Sequence, residues 1–94
     1  MTSKQRAMLR SMANTMDPIL HIGKDGITAG TLQQCEEALE ARELFKGTVQ
    51  QGCDLSAREA LTILCEETGA EPVQVIGRRF VLYRPSRENP RIVL

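Results

Sequence analysis

The sequence predicts a single α/β domain in which helices cover a sheet, with elements in the order αβαβαββ. Three segments repeat apolar residues with a helical period, and two of them open on a capping-box pattern. Short apolar segments between them are typical of strands, and a hairpin turn at Gly77-Arg78 joins the last two. A chain of 94 residues is long enough to bury one core, and its composition is that of a globular protein.

The first helix is predicted to begin after Thr2, which forms a capping box with Gln5, and to end near residues 14–16. The segment Pro18–Ile22 follows. It is short and almost entirely apolar, which predicts a central strand buried on both faces. We interpret His21, near its end, as a structural residue, because no nucleophile or carboxylate stands at a catalytic spacing from it.

The second helix is predicted over residues 29–43. Its apolar stripe comprises four residues, namely Leu32, Cys35, Ala38 and Leu39. Its carboxylates are predicted to line a solvated outer face, and they are Glu36, Glu37, Glu40 and Glu43. A row of glutamates on a helix is more often such a solvated face than an acid–base site.

The remaining elements follow from turn and capping signals. A second strand is predicted over residues 44–50, and a third helix over residues 57–68 after the Ser56 capping box. The last two strands form the hairpin within residues 72–85. The tail, residues 85–94, contains two prolines and alternating charges, so we predict that it is extended or loose.

The loop Gly23-Lys24-Asp25-Gly26 joins the first strand to the second helix. Backbone N–H groups at the start of a helix, together with the helix dipole, favour an anion at such a junction. The glycines permit a positive φ, and Lys24 adds a cation at the tip. The pattern indicates a phosphate-binding loop, and a glycine-rich turn with no ligand is the alternative that it leaves open.

The charges of the chain balance but are unevenly distributed. Lys and Arg number 12, and so do Asp and Glu, so the formal net charge is zero. Basic residues concentrate near the two ends of the chain and acidic residues in the middle, so the ends would form one basic face if they met in space. The candidate cations for this face are Lys4, Arg6, Arg10, Arg78, Arg79 and Arg84.

The cysteines and the hydropathy pattern restrict the compartment and the chemistry. Three cysteines without a Cys-x-x-Cys motif suit a reducing compartment, and the wide spacings with a single histidine predict neither zinc nor another cofactor. We read Cys35 and Cys65 as core residues. No signal-peptide pattern and no membrane-spanning apolar run is present, so we expect a cytoplasmic protein without a membrane partner.

Four stretches together resemble the CRM family of chloroplast RNA splicing and ribosome maturation domains, of the bacterial YhbY type. They are PILHIGKDGIT (18–28), ELFK (43–46), ETGA (67–70) and VIGRRFVLYRP (75–85). The resemblance implies a four-stranded mixed sheet and a fold similar to the C-terminal domain of the third bacterial initiation factor. It also implies RNA binding through the loop Gly23–Gly26. Bacterial members of this type associate with precursors of the large ribosomal subunit.

We therefore expect a non-enzymatic, monomeric RNA-binding protein with one CRM-type domain over residues 1–94, whose partner is ribosomal RNA of a large-subunit precursor. The chain departs from the family in its neutral charge and in Asp25, which places a carboxylate inside the loop. A protein-interaction module that uses the acidic face of the second helix, without autonomous RNA binding, is the alternative. A small enzyme that uses Cys53 or His21 ranks last, because no base lies near Cys53 in the sequence.

Overall fold

All seven predicted elements are present, in the predicted order. The computed structural model describes residues 1–94, with helices α1 (Ser3–Ala13), α2 (Ala29–Arg42) and α3 (Ala57–Thr68). The strands are β1 (Pro18–Ile22), β2 (Leu44–Val49), β3 (Glu71–Ile76) and β4 (Arg79–Tyr83). They form one mixed sheet in the order β1-β2-β4-β3, in which β1 and β2 are parallel and the other pairs antiparallel. The predicted single domain with a mixed, helix-covered sheet is therefore confirmed.

Local capping determines where the helices begin and end. The predicted capping boxes at Thr2 and Ser56 are both formed, and Thr28 forms a third one with Thr31. Gly69 ends α3 in the left-handed conformation, with φ 76°, and its N–H donates to the carbonyl of Cys65. No helix is long and apolar enough to cross a membrane.

The sheet divides the core into two clusters. Helices α2 and α3 pack on one face, and the largest side chains there are Phe45 and Phe80. Helix α1 packs alone on the other face, where Leu9 and Ala13 cluster with Val81 and other residues of the sheet. Because α1 contacts β2, β3 and β4 but has no comparable contact with β1, part of that face has no helix over it.

Strand β1 lies at an edge of the sheet, so the prediction of a central strand is wrong. It pairs only with β2. Leu20 and Ile22 are buried beneath the helices, whereas Ile19 is 41% exposed and His21 is also exposed. The apolar sequence of β1 predicted burial on both faces, but only the face toward α2 and α3 is covered, because α1 lies over the other strands.

Glu43 is buried, which corrects its predicted place on a solvated face of the second helix. It is the C-cap of α2, with φ 66°, and it has no solvent exposure. Its carboxylate accepts hydrogen bonds from the backbone N–H groups of Ser86, Arg91 and Ile92, each at 2.8 Å. Because the chain leaves the helix at Glu43, this side chain turns away from the helix surface and toward the tail.

Residues 85–94 were predicted to be extended or loose. This tail has no regular secondary structure, but it is bound to α2, so the prediction that it is loose is wrong. Besides its bonds to Glu43, it contacts Glu40, whose carboxylate accepts from Ser86 Oγ and from the backbone N–H groups of residues 87 and 88. Of the four glutamates of the predicted acidic face, Glu37 is exposed, Glu36 and Glu40 are partly exposed, and Glu43 is buried. Two glutamates therefore bind a segment of ten residues to the end of α2.

These contacts make the stability of the fold dependent on pH. The Ser86 hydroxyl and two backbone N–H groups lower the pKa of Glu40 from 4.5 to about 2. Burial raises the pKa of Glu43, but the three backbone N–H groups together outweigh it and lower that pKa overall. Because both pKa values are lower in the folded state, the folded protein binds fewer protons than the unfolded chain over the acidic range. The stabilisation is thus fully present above about pH 5 and is lost as the pH falls toward 2.

We expect the urea midpoint, followed by circular dichroism, to decrease as the pH falls from about 5 to 3. Glu40→Gln should flatten this decrease, because it removes one of the two titrating carboxylates that bind the tail. Glu37→Gln is the matched control, since Glu37 is exposed and the tail hydrogen-bonds to Glu40 and Glu43 instead. A decrease as steep in Glu40→Gln as in the unaltered protein would show that protonation of Glu40 does not weaken the fold.

Candidate nucleic-acid interface

The loop Gly23–Gly26 forms a tight turn at the end of β1. The N–H of Gly26 donates to the carbonyl of Gly23 at 3.0 Å, and Gly26 has φ 71°, in the region that favours glycine. Gly23 does not have a positive φ, and a Cβ placed there would lie 3.4 Å from Oε1 of Gln50. The conformational freedom of glycine is therefore required at Gly26 alone.

Several backbone donors of the loop remain free. The N–H of Gly26 is used in the turn and that of Thr28 in the capping box. The N–H groups of Lys24, Asp25 and Ile27 donate to no group of the chain. Both side chains at the tip, Lys24 and Asp25, are exposed. Free amide donors around an exposed ammonium group form a site to which an anion can bind.

Helix α2 begins directly after the loop with an uncharged cap. Its capping box consists of the hydroxyls of Thr28 and Thr31, and its first turn contains no acidic residue. In contrast, the first turn of α3 contains Glu59, which takes part in the cap. Since the cap and the first turn of α2 contain no carboxylate, the positive end of its dipole adds to the charge of Lys24, whereas Asp25 in the loop opposes it.

The hairpin turn lies at the same end of the sheet as the loop, and we call this end the loop edge to distinguish it from the edge strand β1. The parallel strands β1 and β2 end together here, and the N–H of Gln50 donates to the carbonyl of Ile22 at 2.8 Å. The N–H at the end of β2 donates to the carbonyl of Arg78, also at 2.8 Å. One strand separates the loop from the turn, a distance of roughly 10 Å at the usual strand spacing. The residues brought together at this edge are Gly23, Lys24, Asp25, Gly26, Arg78 and Arg79.

The predicted cations of α1 form a separate group. Nε of Arg6 donates to the carbonyl of Pro72 at 3.3 Å, and the start of β3 lies at the opposite end of the sheet from the loop. Lys4 lies still nearer the start of α1, and Arg10 is one turn further toward the loop. The two basic ends of the chain therefore share one side of the sheet but do not form one compact cluster.

Arg84 belongs to neither group, which corrects its assignment to an exposed basic face. It is 7% exposed, and its Nη1 donates to Oε2 of Glu36 at 2.9 Å and to the carbonyl of Thr68 at 3.0 Å. Side chains alternate along a strand, so Arg84 continues the buried face of Leu82. That alternation, together with the glutamates of α2, was the sequence signal for a structural ion pair.

The acidic and basic residues of the helices and strands are separated between the two sides of the sheet, although the charges of the whole chain balance. Helices α2, with its cap, and α3 contain only Arg42 and Arg58 as cations. Against these stand seven carboxylates, namely Glu36, Glu37, Glu40, Glu43, Glu59, Glu66 and Glu67. Helix α1 and the four strands contain one carboxylate, Glu71, and five cations, namely Lys4, Arg6, Arg10, Lys46 and Arg79. A polyanion is therefore repelled by the helical layer of α2 and α3 and attracted to the other side.

Comparison with known proteins identifies the family. The family model of the CRS1/YhbY (CRM) domain matches residues 1–84. The chain belongs to this family. It is 40% identical over 94 residues to the "Probable RNA-binding protein YqeI" of Bacillus subtilis, and the match covers 100% of this chain and 98% of the relative. It is 37% identical over 89 residues to an "RNA-binding protein" of Haemophilus influenzae, covering 94% of this chain and 89% of the relative.

A solved structure of the same fold is the solution structure of the hypothetical protein SAV1595 from Staphylococcus aureus. Its TM-score is 0.82 and its sequence identity is 45%, with coverage of 100% of this chain and 98% of that protein. The family resemblance inferred from the sequence is confirmed. The family match ends at Arg84, so the bound tail of this CRM domain lies outside the matched region.

Lys46 is a further cation on this side of the sheet and was not among the cations predicted for the basic face of this CRM domain. Lys46 and Thr48 lie on the face of β2 opposite Phe45 and Val49, as side chains alternate along a strand. The missing information was the strand register, which pairs Thr48 with Arg79. Only the register shows that Lys46 and Arg79 share the side of the sheet that α1 occupies in part.

Proposed function

We propose that this CRM domain binds RNA at the sheet edge formed by the loop Gly23–Gly26 and the hairpin turn, and assists assembly of the large ribosomal subunit. The observation that supports this function best is the set of three unpartnered N–H groups beside Lys24, at the uncharged start of α2. Relatives named as RNA-binding proteins, similar over nearly the full chain, support the same function.

The loop acts by holding a phosphate. Lys24 supplies the charge, the free N–H groups supply directed donors, and Gly26 keeps the turn in the required conformation. Arg78 and Arg79, about two strand spacings away, contact a further phosphate of the same RNA. Phosphate contacts position an RNA without reading its sequence, so specificity comes from the shape or the unpaired bases of the RNA.

A role on a ribosomal precursor suits a domain with few cations at its binding edge. One phosphate-binding loop gives weak binding alone, whereas further contacts on a large particle raise the effective affinity. Cross-linking in cells, followed by sequencing of the attached RNA, should recover precursor RNA of the large subunit. Recovery of messenger RNAs without ribosomal enrichment would contradict the assembly role and leave RNA binding intact.

Lys24→Ala should weaken binding to a large-subunit RNA fragment, because one phosphate contact is lost. The slope of log K against log salt should become shallower by about one unit, as expected for one contact. Asp25→Asn should strengthen binding, because it removes a carboxylate beside the bound phosphate. Fluorescence anisotropy titrations from about 50 to 200 mM salt measure both quantities.

Lys4→Ala is the matched control for this experiment. It removes the same charge from an exposed lysine at the start of α1, which lies at the opposite end of the sheet from the loop. Equal effects of Lys4→Ala and Lys24→Ala would indicate attraction by the general field rather than a contact in the loop. Unchanged affinity in both loop variants would show that Gly23–Gly26 is only a turn.

A further inference from the structure

Helix α1 ends before it has crossed its face of the sheet. Its C-cap, Asn14, lines a cavity of about 170 Å³ together with Lys46, Gln74, Ile76 and Arg79. These residues come from β2, β3 and β4, on the side of the sheet that α1 occupies. Beyond Asn14, no helix covers the end of the sheet that leads to the loop Gly23–Gly26.

The uncovered surface contains a row of four aligned side chains, one from each strand. The strand register pairs His21 with Thr48, Thr48 with Arg79, and Arg79 with Ile76. Paired residues project from the same face of a sheet, so the row crosses the whole sheet. We call these four residues, together with Lys46 beside them, the open strip.

The chemistry of the open strip suits a nucleic acid. Lys46 and Arg79 are cations, and His21 offers ring nitrogens. The Thr48 hydroxyl donates to the carbonyl of Arg78 at 3.4 Å and can still accept a hydrogen bond. The strip contains no carboxylate. Ile76 is 63% exposed, so its side chain is available for contact with a ligand. A surface with cations and an exposed aliphatic group complements phosphates together with the apolar faces of riboses or bases.

The open strip is continuous with the proposed phosphate-binding edge. His21 lies two residues before Gly23, and Arg79 directly follows Arg78 of the hairpin turn. An RNA strand with one phosphate at the loop can therefore continue directly into the open strip. Two carboxylates border this path, namely Asp25 in the loop and Asp17, which lines a cavity together with Lys46.

The dimensions of the open strip favour a single strand. The width of the open strip is measured along β4. Only about two residues, or roughly 7 Å, separate the buried Val81 from the end of the sheet. Helix α1, about 10 Å in diameter, stands on the same face and limits access from one side. Unpaired nucleotides can be splayed out and lie on such a floor, whereas an RNA duplex offers a wide, shallow groove and rigid backbones.

We infer that the open strip binds a single-stranded segment of the RNA whose phosphate is held at the loop Gly23–Gly26. In this arrangement Arg79 and Lys46 contact phosphates, and Ile76 packs against a ribose or base. Thr48 and His21 face base edges. The inference rests on the proposed function, because it extends the binding site of the loop.

The test compares two RNA probes, a blunt-ended duplex and the same duplex with a single-stranded extension of about five nucleotides. Ile76→Ser and Lys46→Ala should each weaken binding of the extended probe. For Ile76→Ser we expect a loss of affinity of about fivefold, the order expected when part of an isoleucine side chain is no longer removed from water. Binding of the blunt probe should remain unchanged, because a duplex does not reach the open strip.

Two exposed residues provide matched controls. Val93→Ser removes an aliphatic side chain that is 86% exposed, and Arg87→Ala removes a cation whose side chain is 68% exposed. Both lie in the tail, and neither should change the binding of either probe. Equal weakening of both probes by Ile76→Ser, or no weakening of the extended probe, would overturn the inference.

Lys24→Ala separates failure of this inference from failure of the proposed function. It should weaken binding of both probes, because each presents phosphates to the loop. If Lys24→Ala weakens both probes and Ile76→Ser weakens neither, the loop binds RNA and the open strip does not. If Lys24→Ala weakens neither probe, the proposed function of the loop fails as well.

Discussion

Replacing Glu43 by alanine is expected to lower the free energy of unfolding by about 3 kcal/mol, a large effect for one substitution. The Glu43 carboxylate is fully buried and accepts three backbone hydrogen bonds at 2.8 Å, from Ser86, Arg91 and Ile92. Alanine would leave three N–H groups without partners, and each such group costs about 1 kcal/mol or more. The tail can limit this cost only by separating from α2, which exposes its donors to water and gives up its contacts with the helix.

Glu43→Gly is the matched control for the backbone. Glu43 has φ 66°, a conformation that costs a residue with a Cβ about 1 kcal/mol and costs glycine little. Glycine therefore removes the carboxylate and relieves the backbone strain at the same time, so it should destabilise less than alanine by about that amount. Equal destabilisation by the two substitutions would mean that the positive φ stores no strain here.

Two measurements check the prediction for Glu43. Urea unfolding followed by circular dichroism gives the change in stability. Limited digestion with trypsin reports on the tail, since cleavage after Arg87 and Arg91 requires the bound segment to detach. Both sites should be cleaved faster in Glu43→Ala than in the unaltered protein. If the tail stays protected in Glu43→Ala, other contacts hold it and the role assigned to the carboxylate is wrong.

The element order could be predicted because the signals that determine it are local. The Ser56 capping box and Gly69 delimit α3 within a few residues of sequence, and the structure confirms both ends. The hairpin turn at Gly77-Arg78 is equally local. Such signals depend on neighbours in the chain and not on the tertiary fold.

The corrections concern residues whose environment depends on distant parts of the chain. The apolar segment Pro18–Ile22 is compatible with a central or an edge position, and only the sheet order decides between them. Glu43 was predicted to be solvated because its partners lie more than forty residues further along. Arg84 was predicted to be exposed, and its partner Glu36 is separated from it by 48 residues.

The candidate site follows the same division. The loop Gly23–Gly26 could be recognised in the sequence because its glycines, lysine and helix start are contiguous. The grouping of Lys46 with Arg79 depends on strand register, and the separation of Arg6 from the loop depends on the direction of α1 across the sheet. Helical periodicity predicts which side of α1 is buried, but it does not predict that direction.

Replacing Gly47 by alanine is expected to destabilise the domain by about 2 kcal/mol through overpacking. Gly47 pairs with Phe80 across β2 and β4, and the Phe80 ring lies directly over it. A Cβ at Gly47 would lie 2.4 Å from Cζ and 2.6 Å from Cε1 of Phe80. The ring cannot withdraw, because Phe80 has no solvent exposure and packs within the cluster beneath α2 and α3.

A double-mutant cycle tests this explanation. Phe80→Leu shortens the side chain that meets the new Cβ, so the pair Gly47→Ala and Phe80→Leu should be more stable than the sum of the two single effects predicts. Gly30→Ala, in the first turn of α2, is the matched control. A Cβ at Gly30 has only an ordinary contact of 3.7 Å, so alanine there should stabilise the helix by about 0.5 kcal/mol. Strict additivity of the pair would show that the cost of Gly47→Ala does not come from the ring. Because Lys46 and Thr48 flank Gly47, the repacked pair should also recover binding of the extended RNA probe if Gly47→Ala alone impairs it by distorting β2.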